Sequence, residues 1–229
     1  MCSSYRKQND DVCHKEREEK MKFFHVGDLH LGKQLHGYDL IKDQEHMLEE
    51  LLSYIKKEQP DAVLIAGDIY DRAVPSGTAM QLLEHFFIRA DELAKNQKAV
   101  EIILIAGNHD AAKRLQYGSS FMKRHHIHIA VMPPQQEDAN LEQVTLTDQE
   151  GVVHFYLLPY TKPGMIRHWV EQEELANTQD AVKFLLEREQ IDWNERNVLL
   201  SHQFYLHAIE DTVLCDSETP SFSVGGLDS

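Results

Sequence analysis

Cysteine is scarce in this chain. Cys2, Cys13 and Cys215 stand far apart in 229 residues, and no two form a CxxC pair. That spacing suggests neither a zinc ribbon nor a disulfide framework. It fits reduced thiols and a cytoplasmic location. Long apolar runs are missing too: none approaches the roughly 20 residues needed to cross a bilayer. Positive charge is in deficit. Lysine and arginine number 23 against 38 aspartates and glutamates, a formal net charge of −15. Such acidity argues against broad electrostatic attachment to nucleic acid or to an anionic membrane. It leaves room for a local basic patch, for which Lys113, Arg114, Lys123 and Arg124 are candidates, each more simply read as solvated surface charge. It also fits a protein that gathers carboxylates to hold cations. No internal repeat or low-complexity segment stands out.

What is present suffices for one domain. The hydrophobic content is 42% over 229 residues, enough for a substantial core. The first 20 residues look foreign to it. They carry ten charged side chains and no apolar block, so they are no secretory signal. Residues 1–20 are expected to be a disordered, dispensable leader, with Met21 opening the folded domain, 21–229.

From there, short apolar runs alternate with amphipathic ones. "KFFHV" (22–26), "AVLIA" (62–66), "VEIILIA" (100–106) and "NVLLS" (197–201) read as buried strands. Residues 39–58 and 76–96 carry apolar side chains at steps of three and four, the helical pattern, with Ser76 and Thr78 as candidate N-caps of the second. Strand, helix, strand, helix, strand implies crossover connections and parallel pairing. Segments 126–132, 143–148 and 152–159 read as further strands, close in sequence and so antiparallel candidates. Residues 178–190 read as another helix. The expected class is α/β, layers around a mixed sheet.

The ends of the apolar strands are polar in a repeated way. The first ends "GDLH": Asp28 and His30 are two apart, so in an extended segment both point to one side and could meet one divalent metal. A turn aspartate and a surface histidine are the plain alternative. The second ends "AGDIYDR", placing Asp68 at the end of a buried strand, where open α/β sheets bind ligands. Asp68 could equally be a turn or N-cap residue, and Asp71 and Arg72 can pair with each other or with the loop backbone. The third ends "AGNHD". Asn108 offers a carbonyl oxygen, His109 a proton, and Asp110 a carboxylate that could orient the imidazole and raise its basicity. The fourth runs into "SHQF" and His202. Singly, each is unremarkable. Jointly, four strand ends at one edge present Asp, His, Asp, Asn and His. Mixed oxygen and nitrogen donors without cysteine suit Mn²⁺ or Fe²⁺ better than structural zinc. Two ions sharing a bridging carboxylate is an arrangement that cuts phosphate esters.

The set "GDLH", "GDIYDR", "GNHD" and "SHQF" resembles the calcineurin-like metallophosphoesterase superfamily. The flanking phrases "DLHLGK", "GNHDAAKRLQYGS", "LPYTKP", "LLSHQF" and "SETPSFSVGG" are similar to the SbcD-type nucleases within it, from Met21 to about Asp228. The resemblance implies a layered fold of mixed sheets flanked by helices. It implies that Asp28 and His30 hold a first metal, Asp68 bridges, and Asn108 and His202 hold a second. His109 would assist the leaving oxygen, with Asp110 its orienting partner. The cofactors implied are two divalent ions, usually Mn²⁺, and the partners are DNA, an SbcC-type ATPase and a second copy of the nuclease. The implied work is cleavage of duplex ends, hairpins and single strands in DNA repair and recombination.

One departure bears on this. The family pattern continues to a GHxH motif with two more histidine ligands, which this chain does not contain. The fold is therefore expected to be incomplete at its C-terminus, and the chain to bind metal more weakly than a longer form. His207 is not counted as a substitute, and His125, His126 and His168 read as surface or packing residues. The alternatives are a phosphoesterase of small esters or phosphoproteins, or an inactive fragment.

Overall fold

A computed structural model describes residues 20–96, 99–170 and 175–205. The expected leader, apart from Lys20, lies outside the described residues, as does His207. In chain order the elements begin with β1 (Phe23–Val26), a two-residue hairpin of β2 (Gln34–Leu35) and β3 (Tyr38–Asp39), and α1 (Ile41–Glu58). Next come β4 (Ala62–Ala66), α2 (Gly77–Asn96), β5 (Glu101–Ile105), the one-turn helices α3 (Ala112–Leu115) and α4 (Ser119–Met122), and β6 (Ile127–Ala130). The hairpin strands β7 (Glu142–Asp148) and β8 (Gly151–Leu158), then α5 (Pro163–Ile166), α6 (Thr178–Arg188) and β9 (Arg196–Ser201) complete the order.

Two sheets lie face to face. The first is parallel, in the order β1-β4-β5-β6, and the second is β7-β8-β9, with β7 antiparallel and β9 parallel to β8. Alternation along each strand decides which face packs where. Val63 and Ile65 of β4 face α1 and α2, meeting Leu48, Leu52 and Phe86. Leu64 and Ala66 face the second sheet, meeting Phe155, Leu157 and Leu200. The far face of that sheet carries Tyr156 and Leu158, covered by Ile166, Val182 and Leu185 of α5 and α6. The result is four layers, helix, sheet, sheet, helix, so both sheets are covered and the strands read as continuous apolar runs.

The helix ends follow local chemistry. Ser76 Oγ accepts the Ala79 amide hydrogen at 3.1 Å, capping α2. Asn177 and Asp180 form a reciprocal capping box on α6. Gln59, left-handed at φ 47°, ends α1 just before Pro60.

Three expectations need correcting. β1 is half-exposed rather than buried, because it is an edge strand with one neighbour. Segment 126–132 supplies β6, parallel to β5; the antiparallel pair is β7 with β8 alone. The fourth polar strand end belongs to β9 in the second sheet, so it reaches the other three across the sandwich and not along one sheet.

Candidate metal centre

The loop after β1 crosses the end of β4. The amides of Asp28, His30 and Leu31 donate to the carbonyls of Gly67, Asp68 and Ile69 at 3.2, 2.9 and 2.9 Å. Asp28 and His30 are left-handed, with φ of 54° and 42°. Their convergence is therefore not the strand periodicity expected from their spacing. It comes from a backbone twisted twice, and it brings Asp28 Oδ1 to 3.7 Å from His30 Nε2. Asp68 is also left-handed, at φ 47°. Among the described residues, three of the six non-glycine residues with positive φ are thus these candidate ligands, and strain of this kind collects where the surroundings over-determine it for function.

Gln44 of α1 supplies part of that over-determination. Its amide nitrogen donates to the carbonyls of Leu29 and His30, at 3.1 and 2.8 Å, and its oxygen accepts the Gly32 amide hydrogen at 2.8 Å. The sequence reading missed this residue. The available signal was a polar side chain four positions before Leu48, on the stripe α1 packs inward.

Asp68 is the buried centre, only 3% exposed. Its Oδ1 accepts the His109 amide hydrogen at 2.9 Å. Its Oδ2 lies 3.6 Å from His30 Nε2, 3.6 Å from His202 Nε2 and 3.9 Å from His109 Nε2. Burial alone would raise its pKa; His202 and the His109 amide outweigh burial and hold it below the usual carboxylate value. Two glycines make room for this packing. A Cβ on Gly67 would stand 2.5 Å from the His202 ring, and one on Gly107 would stand 2.1 Å from Asp68 Oδ1.

His109 and Asp110 do not pair as expected. His109 Nδ1 lies 2.9 Å from the Asp71 carbonyl, which can only accept, so Nδ1 carries hydrogen and Nε2 faces the cluster. Asp110 serves the backbone instead. Its Oδ2 accepts from the amides of Gly107 and Ile69 at 2.9 and 3.0 Å, and its Oδ1 from Tyr70 at 3.0 Å. It ties the β5 loop to the β4 loop. Burial raises its pKa despite those three amides, and the Asp68 charge adds to the rise.

His202 arrives from β9 and donates its Nδ1 hydrogen to the Ala66 carbonyl at 2.7 Å. Its Nε2 lies 3.1 Å from Asn108 Oδ1. Both atoms are lone-pair donors when the imidazole is neutral, so a cation belongs between or beside them: a proton or a metal ion. Burial would lower the pKa of His202, but Asp68 and the Ala66 carbonyl raise it overall. Metal–ligand bonds of about 2.1 Å at right angles put neighbouring donors roughly 3 Å apart. The distances of 3.1 to 3.9 Å around Asp68 Oδ2 and Asn108 Oδ1 are close to that.

Among the described residues, two groups have all their donor atoms within 4.8 Å of one another: His30, Asp68 and His109, and Asp28, Asp68 and His202. They share Asp68. The structure thus brings together Asp28, His30, Asp68, Asn108, His109 and His202, and sets Asp110 behind them. The donor set fits divalent ions: carboxylate and imidazole, no thiolate, one carboxylate common to both groups.

Residues 21–213 match the family of calcineurin-like phosphoesterases. The chain belongs to that family. Over 211 residues it is 33% identical to the SbcD component of the SbcCD nuclease of Staphylococcus epidermidis and 31% identical to the same-named protein of Staphylococcus saprophyticus. The alignments cover 91% of this chain and 52% of each relative. The chain therefore spans about half the length of the curated relatives it matches. Members of this family use divalent metals, and Asp68 is the most buried residue of the candidate donor set. No helix among the described residues is long and apolar enough to cross a membrane.

Proposed function

We propose that this chain carries the nuclease site of an SbcD-type enzyme, hydrolysing DNA phosphodiesters with two divalent ions, Mn²⁺ in the first instance. The observation that carries the proposal is one buried carboxylate shared by two histidine-containing donor groups. Asp28, His30, Asp68, Asn108 and His202 would hold the ions. When bound, the ions supply Lewis acidity and lower the pKa of the attacking water. The side chains do the rest. Asp68 stays ionised and sits between the two groups. His109, fixed through Nδ1 on the Asp71 carbonyl, presents Nε2 to the cluster, where its protonated form can pass a proton to the departing oxygen. Asp110 keeps the two loops in register. An SbcC-type ATPase, a second nuclease copy and DNA are the partners this reading carries, from the relatives' names and the sequence phrases.

The test is release of nucleotides from blunt linear duplex DNA with Mn²⁺, beside a generic aryl phosphate. Nucleotide release supports the proposal. Hydrolysis of the aryl phosphate alone would favour a small-ester phosphoesterase, and metal binding without turnover on either would favour a binding fragment.

A further inference from the structure

The structure assigns the Asp71 carboxylate as the positioning group that holds His30 ready for a metal ion, a role resting on the phosphoesterase reading above. His30 can offer a lone pair at Nε2 only if its hydrogen sits on Nδ1. That Nδ1 is buried and has no hydrogen-bond partner, and the His30 side chain is only 16% exposed. A buried ring N–H left unpaired is unfavourable, and imidazoles that bind metals commonly donate their second N–H to a carboxylate or carbonyl. Asp71 Oδ1 lies 3.7 Å from His30 Nδ1. Closing that gap by about 0.7 Å makes an ordinary hydrogen bond.

The surroundings favour that closure. His30 Nε2 already lies 3.7 and 3.6 Å from the carboxylates of Asp28 and Asp68. The His109 ring stands perpendicular to it, with centroids 4.9 Å apart, which limits its swing. Asp71 is tied to the same loop, because its amide donates to the Leu31 carbonyl at 3.2 Å. Its Oδ2 lies 3.6 Å from Nε of the exposed Arg72 guanidinium, which leaves Oδ1 to face His30. One residue thus serves two histidines by different atoms: the main-chain carbonyl holds His109, and the side chain holds His30. Of the two, only the second contact is lost when the side chain is removed.

The experiment uses the whole chain as wild type, Asp71→Ala and Asp71→Asn. Nitrogen-15 spectra of the histidine rings report each tautomer without metal, and a Mn²⁺ titration followed by electron paramagnetic resonance reports affinity. In Asp71→Ala, His30 is expected to lose its Nδ1–H preference while His109 keeps its own. Mn²⁺ affinity should fall roughly 10- to 100-fold. Asp71→Asn, which retains an acceptor oxygen, should recover most of both. An unchanged His30 tautomer and affinity in Asp71→Ala would overturn the assignment. So would a joint change of both histidines with a matching loss of thermal stability, which would make Asp71 a loop anchor only. If the wild type took up no divalent ion, the phosphoesterase reading would fail, while the His30 tautomer would still decide this inference.

Discussion

Replacing Gly67 by alanine should damage the site far more than the core. Gly67 has φ +79°, and an alanine held there costs about 1–2 kcal/mol. The new Cβ would lie 2.5 Å from both Cγ and Nδ1 of His202. Relief to ordinary contact needs the ring to move by roughly 1 Å, since carbon contacts optimise near 3.5 Å. That shift breaks the 2.7 Å hydrogen bond from His202 Nδ1 to the Ala66 carbonyl, worth about 0.5–1.5 kcal/mol. The expected loss is about 1.5–3.5 kcal/mol, the sum of those two contributions. It should be readable as a lower urea midpoint at unchanged slope. Because the ring moves away from Asn108 and Asp68, Mn²⁺ affinity should fall at least about tenfold, as for other displaced ligand supports. A variant within about 0.5 kcal/mol of wild type and with unchanged Mn²⁺ uptake would refute the reasoning, since a surface-like change of that size means the glycine is not there to admit the ring.

Further outcomes follow from other parts of the molecule. Phe155→Ala should cost about 3–5 kcal/mol by urea unfolding, because the ring is fully buried between the sheets against Phe23. Asn177→Ala should cost about 1 kcal/mol by removing half of the α6 capping box. The Arg196 guanidinium beside Asp148 holds its carboxyl well below the usual range, and Arg196 contacts it through two nitrogens at 2.9 and 2.5 Å. A depressed folded pKa stabilises above the unfolded value of about 4 and loses that contribution as pH falls through the folded value. Wild type should therefore melt above Asp148→Asn at pH 7, with the gap narrowing steadily below about pH 4. His109→Gln should suppress cleavage while leaving Mn²⁺ uptake largely intact. Metal loss in that variant would move His109 into the ligand set, consistent with its place beside His30 and Asp68.

Much of the layered fold could be read before the structure, for reasons that stop at identifiable places. β4 and β5 are apolar on both faces and announce themselves, and the helical stripe read over 39–58 is α1, which ends at Glu58. The partner sheet of β9 was not legible, because "NVLLS" reads the same in either sheet. Which ends held donor atoms was legible; how they converge was not. Left-handed backbone at Asp28, His30 and Asp68 leaves no periodic trace, and spacing alone suggested an extended segment for the first pair. Adjacency also misled at Asp110. A neighbour of His109 in sequence looked like its orienting partner, but the chain turns and gives that task to the Asp71 carbonyl. Gln44 and Asp71 reach residues well away in sequence, Gly32 lying 12 positions from Gln44 and His109 lying 38 from Asp71, which no local pattern encodes.

Asp68 is proposed as the carboxylate common to two cation positions. The direct measurement is Mn²⁺ bound per chain, by elemental analysis and electron paramagnetic resonance, for wild type against Asp68→Asn, whose amide oxygen can still accept the His109 amide hydrogen. Asp68→Asn should weaken both positions together while the fold persists. Loss of a single position, or binding equal to wild type, would contradict it.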